Sequence, residues 1–467
     1  MSDTNPTTLR STRLISTLFC LLLLSIPLAA TAQWHVDPNG MAGPCTVAQP
    51  CDLIADAVAV AAPGDTVNVA AGTYFESGIT IPSSLTILGS GALSTIVDGA
   101  GAGPVFTVMA PGGSVFIRRL TIQNGNAGFA NGGAIDLQSG NLAVIASRVL
   151  GCTALAGGAI AQASTGQLLV SGTLIQGNNS TATGGGIWCD TCGGVAVLAS
   201  FLLDNVAGST GGAIHAQVTD VDVWFSSISG NEADDGGGIY ALSSFVRVFD
   251  SAVWSNHADA GDGGGLFVTG TLDVERSAIT DNTAFDNGGA LFMSGNSVLA
   301  MGNTTISGNV ALCGGGLSLV DNFGFGPTAI IGTATFYGNS SSYGGCAEQI
   351  QTGLSGTTEL YNSIMTAAGI QCSSPLASGN HNLIDDATCD TGLASFNLGV
   401  VTLLDPVLAF NGGLTRTHAI DPASNAVDTG RNAACLNPGT GAPLVVDQRN
   451  LPRPVNGTCD IGAVELQ

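Results

Sequence analysis

From about residue 132 onward, apolar and polar positions alternate with period two in short runs that glycine interrupts, and the runs recur in register. A Gly-Gly-[Ala/Gly]-[Ile/Leu] tetrapeptide opens at Gly132, Gly157, Gly184, Gly211, Gly236, Gly263, Gly288 and Gly314, with a decayed copy at Gly344. Successive spacings are 25, 27, 27, 25, 27, 25, 26 and 30 residues. Period-two alternation marks a strand with one buried face, and self-similarity at a fixed period marks a solenoid. Aligned on the glycines, the runs form four apolar columns. Leu142, Leu168, Val195, Val221, Val246, Leu272 and Leu299 form the first, and Val144, Val170, Val197, Val223, Val248, Val274 and Met301 the second. The third reads Val149, Ile175, Leu202, Ile228, Val253, Ile279, Ile306 and Phe336, and the fourth is the Ile or Leu closing each tetrapeptide. An Asn precedes most glycine pairs: Asn178, Asn205, Asn231, Asn256, Asn282, Asn309 and Asn339.

Coils of about 26 residues carrying such columns predict about three short strands each, stacked strand on strand at about 4.8 Å. No 3.6-residue periodicity supports a helical solenoid, and parallel crossovers are almost always right-handed. The expected fold is all-β: a single-stranded right-handed parallel β-helix. Residues 52–62 read as a short helix between Cys51-Asp52 and Pro63-Gly64, capping the first coil against edge aggregation. The expected organisation is a signal peptide over 1–32, a cap and first coils over 33–110, regular coils over 111–366, and a less regular Cys-bearing segment over 367–467.

The signal reading rests on Arg10 and Arg13, an apolar core over 14–28, and Ala30-Thr31-Ala32 as a small-x-small cleavage site. The core is short for a membrane span, and no later segment is apolar for long enough. An exported protein, extracellular or at the cell surface, is expected. The mature part carries nine Arg, no Lys and 33 Asp plus Glu, a net charge of −24. That charge excludes nucleic acid and anionic lipid as natural partners, since both are held by cation–phosphate contacts. Gly, at 67 residues, is about double its usual share of about 7%, while 45% of the chain is hydrophobic. This combination fits many short strands joined by tight turns, not a disordered polar chain.

Three stretches resemble known families. Pro63-Gly64-Asp65-Thr66-Val67, Ala71-Gly72-Thr73-Tyr74 and Leu85-Thr86-Ile87-Leu88-Gly89 look like the first coil of pectin-lyase-like β-helix proteins. The Asn and Gly-Gly-Ala-Ile repeats are similar to those of polymorphic outer-membrane proteins, a family of surface autotransporters and adhesins. Asn411-Gly412-Gly413, Thr417-His418, Asp447-Gln448-Arg449, Arg453-Pro454 and Cys459-Asp460-Ile461-Gly462-Ala463-Val464-Glu465 resemble, in order, the choice-of-anchor module that ends many bacterial surface β-helices. Asn450 stands where that module usually has Gly, and no sorting tag, transmembrane helix or β-barrel follows it before Gln467. The resemblances imply a surface or secreted protein.

Candidate chemistry is sought at outward positions. Directly after the buried Ile or Leu of five successive tetrapeptides come Trp188, His215, Tyr240, Phe267 and Phe292. Two residues earlier stand Gly186, Ala213, Gly238, Gly265 and Ala290, which suggests an aromatic column beside a small-residue floor. Such a trough suits stacking on sugar rings; the alternative is a ladder that only stiffens the stack. The corner before the glycines is acidic: Asp234, Asp235, Asp262 and Asp286, with Glu232 and Asp259 upstream. Clustered carboxylates can hold Ca²⁺ through oxygen ligands, and Asp234, Asp235 and Asp262 are candidates for acid and base on a glycosidic bond; the alternative is a solvated corner. His257, close to Asp259, reads as a loop histidine.

The family resemblance speaks against catalysis. Calcium-dependent pectate lyases use a basic residue as proton-abstracting base, whereas this chain lacks Lys, and Arg118, Arg119, Arg148, Arg247 and Arg276 lie on other strands or distant coils. Of the polygalacturonase set Asn-Thr-Asp, Asp-Asp, Gly-His-Gly and Arg-Ile-Lys, only Asp234-Asp235 is present. Eleven cysteines lie in the mature part. Spacing pairs Cys45 with Cys51, Cys372 with Cys389 and Cys435 with Cys459, allows Cys313 with Cys346, makes Cys189-x-x-Cys192 a structural link, and leaves Cys152 free. The expected function is non-catalytic binding of a polysaccharide or cell-surface glycan, as in an adhesin or matrix component. A polysaccharide lyase or hydrolase and a purely structural surface module are the alternatives.

Overall fold

The computed structural model describes residues 32–467 except 323, 391 and 393–398; the expected signal peptide lies outside them but for residue 32. The chain forms a parallel β-solenoid of about eleven turns. Its strands assemble into one sheet of 21 strands, one of 13 and one of eight. The pairings along all three are parallel, and a crossover of this kind imposes the right hand. Regular coils carry four short strands, one more than the spacing suggests. In one coil these are Ile187–Asp190, Gly194–Leu198, Phe201–Leu203 and Val206–Ala207. The first two join the largest sheet, and the last is the two-residue strand of the eight-stranded sheet.

Strand register reproduces the columns. Val195 pairs with Val221, Val221 with Val246, and Val246 with Leu272. Ile187 pairs with Ile214, Ile214 with Ile239, and Ile239 with Leu266. Ile175, Leu202, Ile228, Val253, Ile279, Ile306 and Phe336 follow one another in the 13-stranded sheet. All of these are buried in one continuous core that runs the length of the solenoid. A one-residue slip would turn each column to solvent, so burial fixes the register.

The Asn column forms a closed hydrogen-bond ladder inside the corner. From Asn178 to Asn309, each amide nitrogen donates to the amide oxygen of the next coil's Asn at 2.8–3.0 Å. Each also donates to a backbone carbonyl of the preceding coil, such as Ile228 for Asn256. Each oxygen accepts a second bond from the preceding rung's backbone N–H at 2.9–3.1 Å. The column is fully buried, so four satisfied bonds per amide remove the desolvation cost of an unpaired polar group. Cys152 supplies the first backbone N–H, bonded to Asn178. Gln349 accepts the last rung from Asn339 and passes its own donor to the Thr366 carbonyl.

The glycine pairs answer to this corner. The first Gly of each pair is left-handed, with φ +65° at Gly184 and +60° at Gly236, a conformation that side chains disfavour. A Cβ on the second would meet backbone of the next coil, as at Gly212 with Gly237 O at 2.3 Å. A second ladder, unexpected from the sequence, runs through the hydroxyls of Ser147, Thr173, Ser200, Ser226, Ser251 and Ser277. From Thr173 onward each accepts the backbone N–H of the preceding rung at 3.0–3.3 Å.

The N-terminal helix spans Ile54–Val60 and buries Ile54, Ala57 and Val58. No side chain of its own N-cap holds it; the Glu76 carboxylate instead accepts from Ile54 N and Ala55 N at 2.8 and 3.0 Å. At the other end, coil pairing continues through Ser378–Asn380 and Leu383–Ile384, beyond residue 366. The last residues, from about 400, do not extend the stack. They fold back along its flank, where Gln448 accepts from Thr305 Oγ1 (2.7 Å), His418 meets Ser307 Oγ (2.9 Å), and Asn450 donates to Asp250 (2.9 Å). Buried Arg453 donates to Asn303 Oδ1 (2.8 Å) and pairs with Glu465.

Three stability outcomes follow from these contacts, all measured by denaturant titration of the mature chain. Leu272→Ala should cost about 2–5 kcal/mol. Asn256→Ala strips the acceptor from the backbone N–H and amide of Asn231, two buried donors worth about 1–3 kcal/mol each. It should therefore match Leu272→Ala although it removes a polar group; a neutral result would mean the ladder does not hold the stack. Arg453→Met leaves Glu465 buried and unpaired, about 3–5 kcal/mol, and should open the segment beyond 400 to protease while the coils stay resistant.

Candidate functional site

The aromatic column sits where each coil leaves the glycine corner. The tetrapeptide's last residue begins a strand and points inward, so the next residue points outward. Trp188, His215, Tyr240, Phe267 and Phe292 follow one another in register across five coils. His215 and Tyr240 stack with centroids 5.3 Å apart and planes 12° apart. Tyr240–Phe267 and Phe267–Phe292 follow at 4.6 and 4.8 Å. Ring faces are thus covered by neighbouring rings, and mostly edges reach the surface. His215 and Phe292 are 7% exposed, while Trp188, Tyr240 and Phe267 are half-buried. Among the described residues Trp188 stacks on no other ring and the Tyr240 hydroxyl has no hydrogen-bond partner.

The expected small-residue floor is not beside these rings. Ala213 and Ala290 are wholly buried and belong to the inner core. A Cβ on Gly238 or Gly265 would lie 3.3 or 3.1 Å from the amide of Asn256 or Asn282. The small residues therefore face the Asn ladder, because strand alternation begins only at the Ile or Leu and does not extend back into the corner. Nearer still is the next coil's backbone carbonyl, 2.5 Å from a Cβ on Gly238 and 2.6 Å from one on Gly265.

The acidic corner is likewise part of the turn. Asp235 Oδ1 accepts from Asp262 N at 2.8 Å, and Asp262 Oδ1 accepts from Asn287 N and Nδ2, both at 2.9 Å. Burial, with Asp235 and Asp286 nearby, raises the Asp262 carboxyl above its usual range against these hydrogen bonds. Asp234 is exposed and Asp286 half-buried. Glu232 shares a hydrogen bond with Asp259, which raises its carboxyl. Among the described residues no three acidic, thiol or imidazole side chains group closely enough to hold a metal ion. Of the four carboxylates expected to hold Ca²⁺, those of Asp235 and Asp262 each use one oxygen to hold a turn N–H.

All expected disulfides form: Cys45–Cys51, Cys372–Cys389 and Cys435–Cys459, together with Cys313–Cys346 and Cys189–Cys192. Cys152 is free and buried, and burial pushes its thiol up to about 12, so it is inert. Five bridges fit an oxidising, extracellular setting. No helix among the described residues is long and apolar enough to cross a membrane.

No family model and no curated protein matches the chain. Among solved structures it is similar to a rhamnogalacturonan lyase, at 11% identity over 60% of this chain and 82% of that one, with a TM-score of 0.33. It is similar to the pectate lyase Pel9A at 14% identity, over 94% and 97%, with a TM-score of 0.38. It is also similar to XylC, solved in complex with xylose, at 10% identity, over 93% and 98%, with a TM-score of 0.45. At such identities and scores the likeness carries no inference about activity, and the fold assignment rests on the strand register above. The repeat and anchor resemblances find no family model behind them.

His215 offers a check on the column's burial. Desolvation lowers its imidazole from 6.5 to about 4, partly opposed by Asp190, and Thr210 Oγ1 lies 2.8 Å from Nδ1. A depressed folded-state value means protonation favours unfolding, so this stability is present above pH 6.5 and falls as pH drops toward 4. The loss should be on the order of 3 kcal/mol. Relative to wild type, His215→Phe should flatten the stability curve across that window; parallel curves would place the imidazole in solvent.

Proposed function

We propose that the mature chain is an exported, non-catalytic β-helix that binds glycans or glycan-bearing surfaces, in the manner of an adhesin or matrix component. The supporting observation is the line of outward rings over five coils whose interior is already filled by the Ile and Leu column. At strand spacing five coils span roughly 19 Å, room for a short oligosaccharide. Trp188 is half-buried with no ring stacked on it among the described residues, and Tyr240 offers a hydroxyl that burial and nearby Asp235 keep protonated. The absence of turnover is argued from Asp235 and Asp262, whose oxygens hold turn N–H groups instead of standing free as an acid and base pair. The test is retention on a glycan array by the wild type and by Trp188→Ala, Tyr240→Ala and Phe267→Ala, singly and combined. The triple variant should fold and lose retention, with Trp188→Ala the most damaging single change. Undiminished retention by a folded triple variant would move the ligand elsewhere.

One observation favours the second reading, a glycoside hydrolase or lyase: burial raises the Asp262 carboxyl above its usual range, the direction that suits a general acid. Under that reading the wild type releases soluble product from a polysaccharide panel and Asp262→Asn does not. Retention without release in both leaves the first reading standing.

A further inference from the structure

The folded-back C-terminal segment creates a cleft that neither the repeat pattern nor the aromatic column accounts for. It lies between the outer face of the 13-stranded sheet and the segment's residues 410–416, and encloses about 360 Å³. That is near the lower end of ordinary small-molecule sites, about 300–1,000 Å³. The sheet supplies a low floor of Ser227, Ala252 and Ala278, with Trp254 and Phe201 on either side. Trp254 is held by its indole N–H, which donates to Ser227 Oγ at 3.0 Å. Phe410, Leu414 and Arg416 close the cleft from the other side.

Packing does not explain the apolar rim. Phe201 is 53% exposed, Phe225 48%, Phe410 65% and Leu414 61%. Large apolar groups left in water around one cleft mark an interaction site. Phe225 carries a further cost, because it is left-handed with φ +52°. The same turn position holds Arg119, Ala146, Gly172, Ala199, Asp250, Arg276, Asn303 and Thr333 in other described coils, none of them aromatic, and a side chain with a Cβ is disfavoured in that conformation. Neither burial nor backbone favours phenylalanine there.

The polar groups point to the ligand's charge. The Arg416 guanidinium lies 5.3 Å over the Trp254 ring and 5.7 Å from the Phe410 centroid, and its N–H edges have no acceptor in the described chain. Asp281 stands near enough for its carboxyl to feel that cation, while Asp250 is taken by Arg276 and Asn450. Charges within the cleft therefore cancel, and the surrounding net charge of −24 repels anions. Aromatic walls, free N–H donors and no net field fit a ring with apolar C–H faces and neutral hydroxyls.

We infer that this cleft binds a neutral saccharide of one or two rings, stacked against the aromatic rim with its hydroxyls accepting from Arg416. The inference shares a ligand class with the proposed function but places it at a separate site, so the two can fail separately. The experiment is calorimetric titration of the full mature chain with cellobiose, xylobiose and mannobiose, with digalacturonate as the anionic comparator. The variants are Phe225→Asn, Phe410→Ala and the Trp188/Tyr240/Phe267 triple alanine. Asn tolerates the left-handed turn, so Phe225→Asn should keep or raise the melting temperature while weakening binding about tenfold; a merely structural Phe225 would lower the melting temperature. Phe410→Ala should act likewise, and either cleft change should weaken disaccharide binding in the triple-alanine background as well. Binding to none of the neutral disaccharides, tighter binding of digalacturonate, or unchanged affinity in both cleft variants would overturn the inference. If instead only the triple variant loses affinity, the cleft is refuted and the aromatic-column reading survives.

Discussion

A buried primary amide must find four hydrogen bonds, and that demand governs this molecule. A lone asparagine inside an apolar corner would leave donors and an acceptor desolvated, at several kcal/mol. An identical side chain one coil away supplies what is missing, but only at the strand spacing and in register. The Asn178–Asn339 ladder therefore ties each coil to the next at a fixed offset, and the valine, leucine and isoleucine columns fall into line with it. The glycine corner serves the same close stacking, since the third tetrapeptide position lies against the next coil's backbone carbonyl, with the ladder amide just beyond it. Hydrophobic burial supplies the bulk of the driving force and excludes a one-residue slip, and the ladder holds the same register from inside the corner.

Features that repeat were legible in the sequence for this reason. Each apolar column is the same local decision made coil after coil, so spacing alone aligned Val195 with Val221 and Val246. Cysteine pairs close in sequence were readable too. What could not be read were departures from strand geometry. The assumption that Gly238 and Tyr240 share a face extends period-two alternation into a corner where it does not hold, and it put the small residues outside when they line the interior. The hydroxyl ladder from Ser147 to Ser277 was visible as a run of Ser and Thr at one coil position, but a hydroxyl has no periodic hydrophobic signal to draw attention.

The C-terminal segment marks the other boundary of legibility. Thr305 and Gln448 lie 143 residues apart, and no local pattern announces such a contact. Asp447, Gln448, Arg453, Asp460 and Glu465 come from the stretches that resembled an anchor module, and all are buried. They hold the segment to itself and to the flank of the coils, so the most recognisable residues of the tail are engaged in docking and unavailable to a ligand. The residues left for recognition are the irregular ones. Phe225 and Trp254 stand out against the coils directly beside them, which place Ala199 and Asp250, and Ser229 and Thr280, at the same positions.

The Asn ladder also has a direction. Every rung hands its amide proton toward the C-terminal neighbour, from the Cys152 end to Gln349, so no rung can be distinguished from the next by its partners. Whole coils can therefore be gained or lost by duplication or deletion in the middle of the run without leaving an orphaned amide, as long as each new unit brings its own asparagine and glycine pair. Only the two ends are particular, one begun by a thiol-bearing residue and one finished by a longer side chain that turns its last proton onto a backbone carbonyl. Length becomes a variable that evolution can change in steps of one coil, while the flank-docked tail and the helical cap remain as they are.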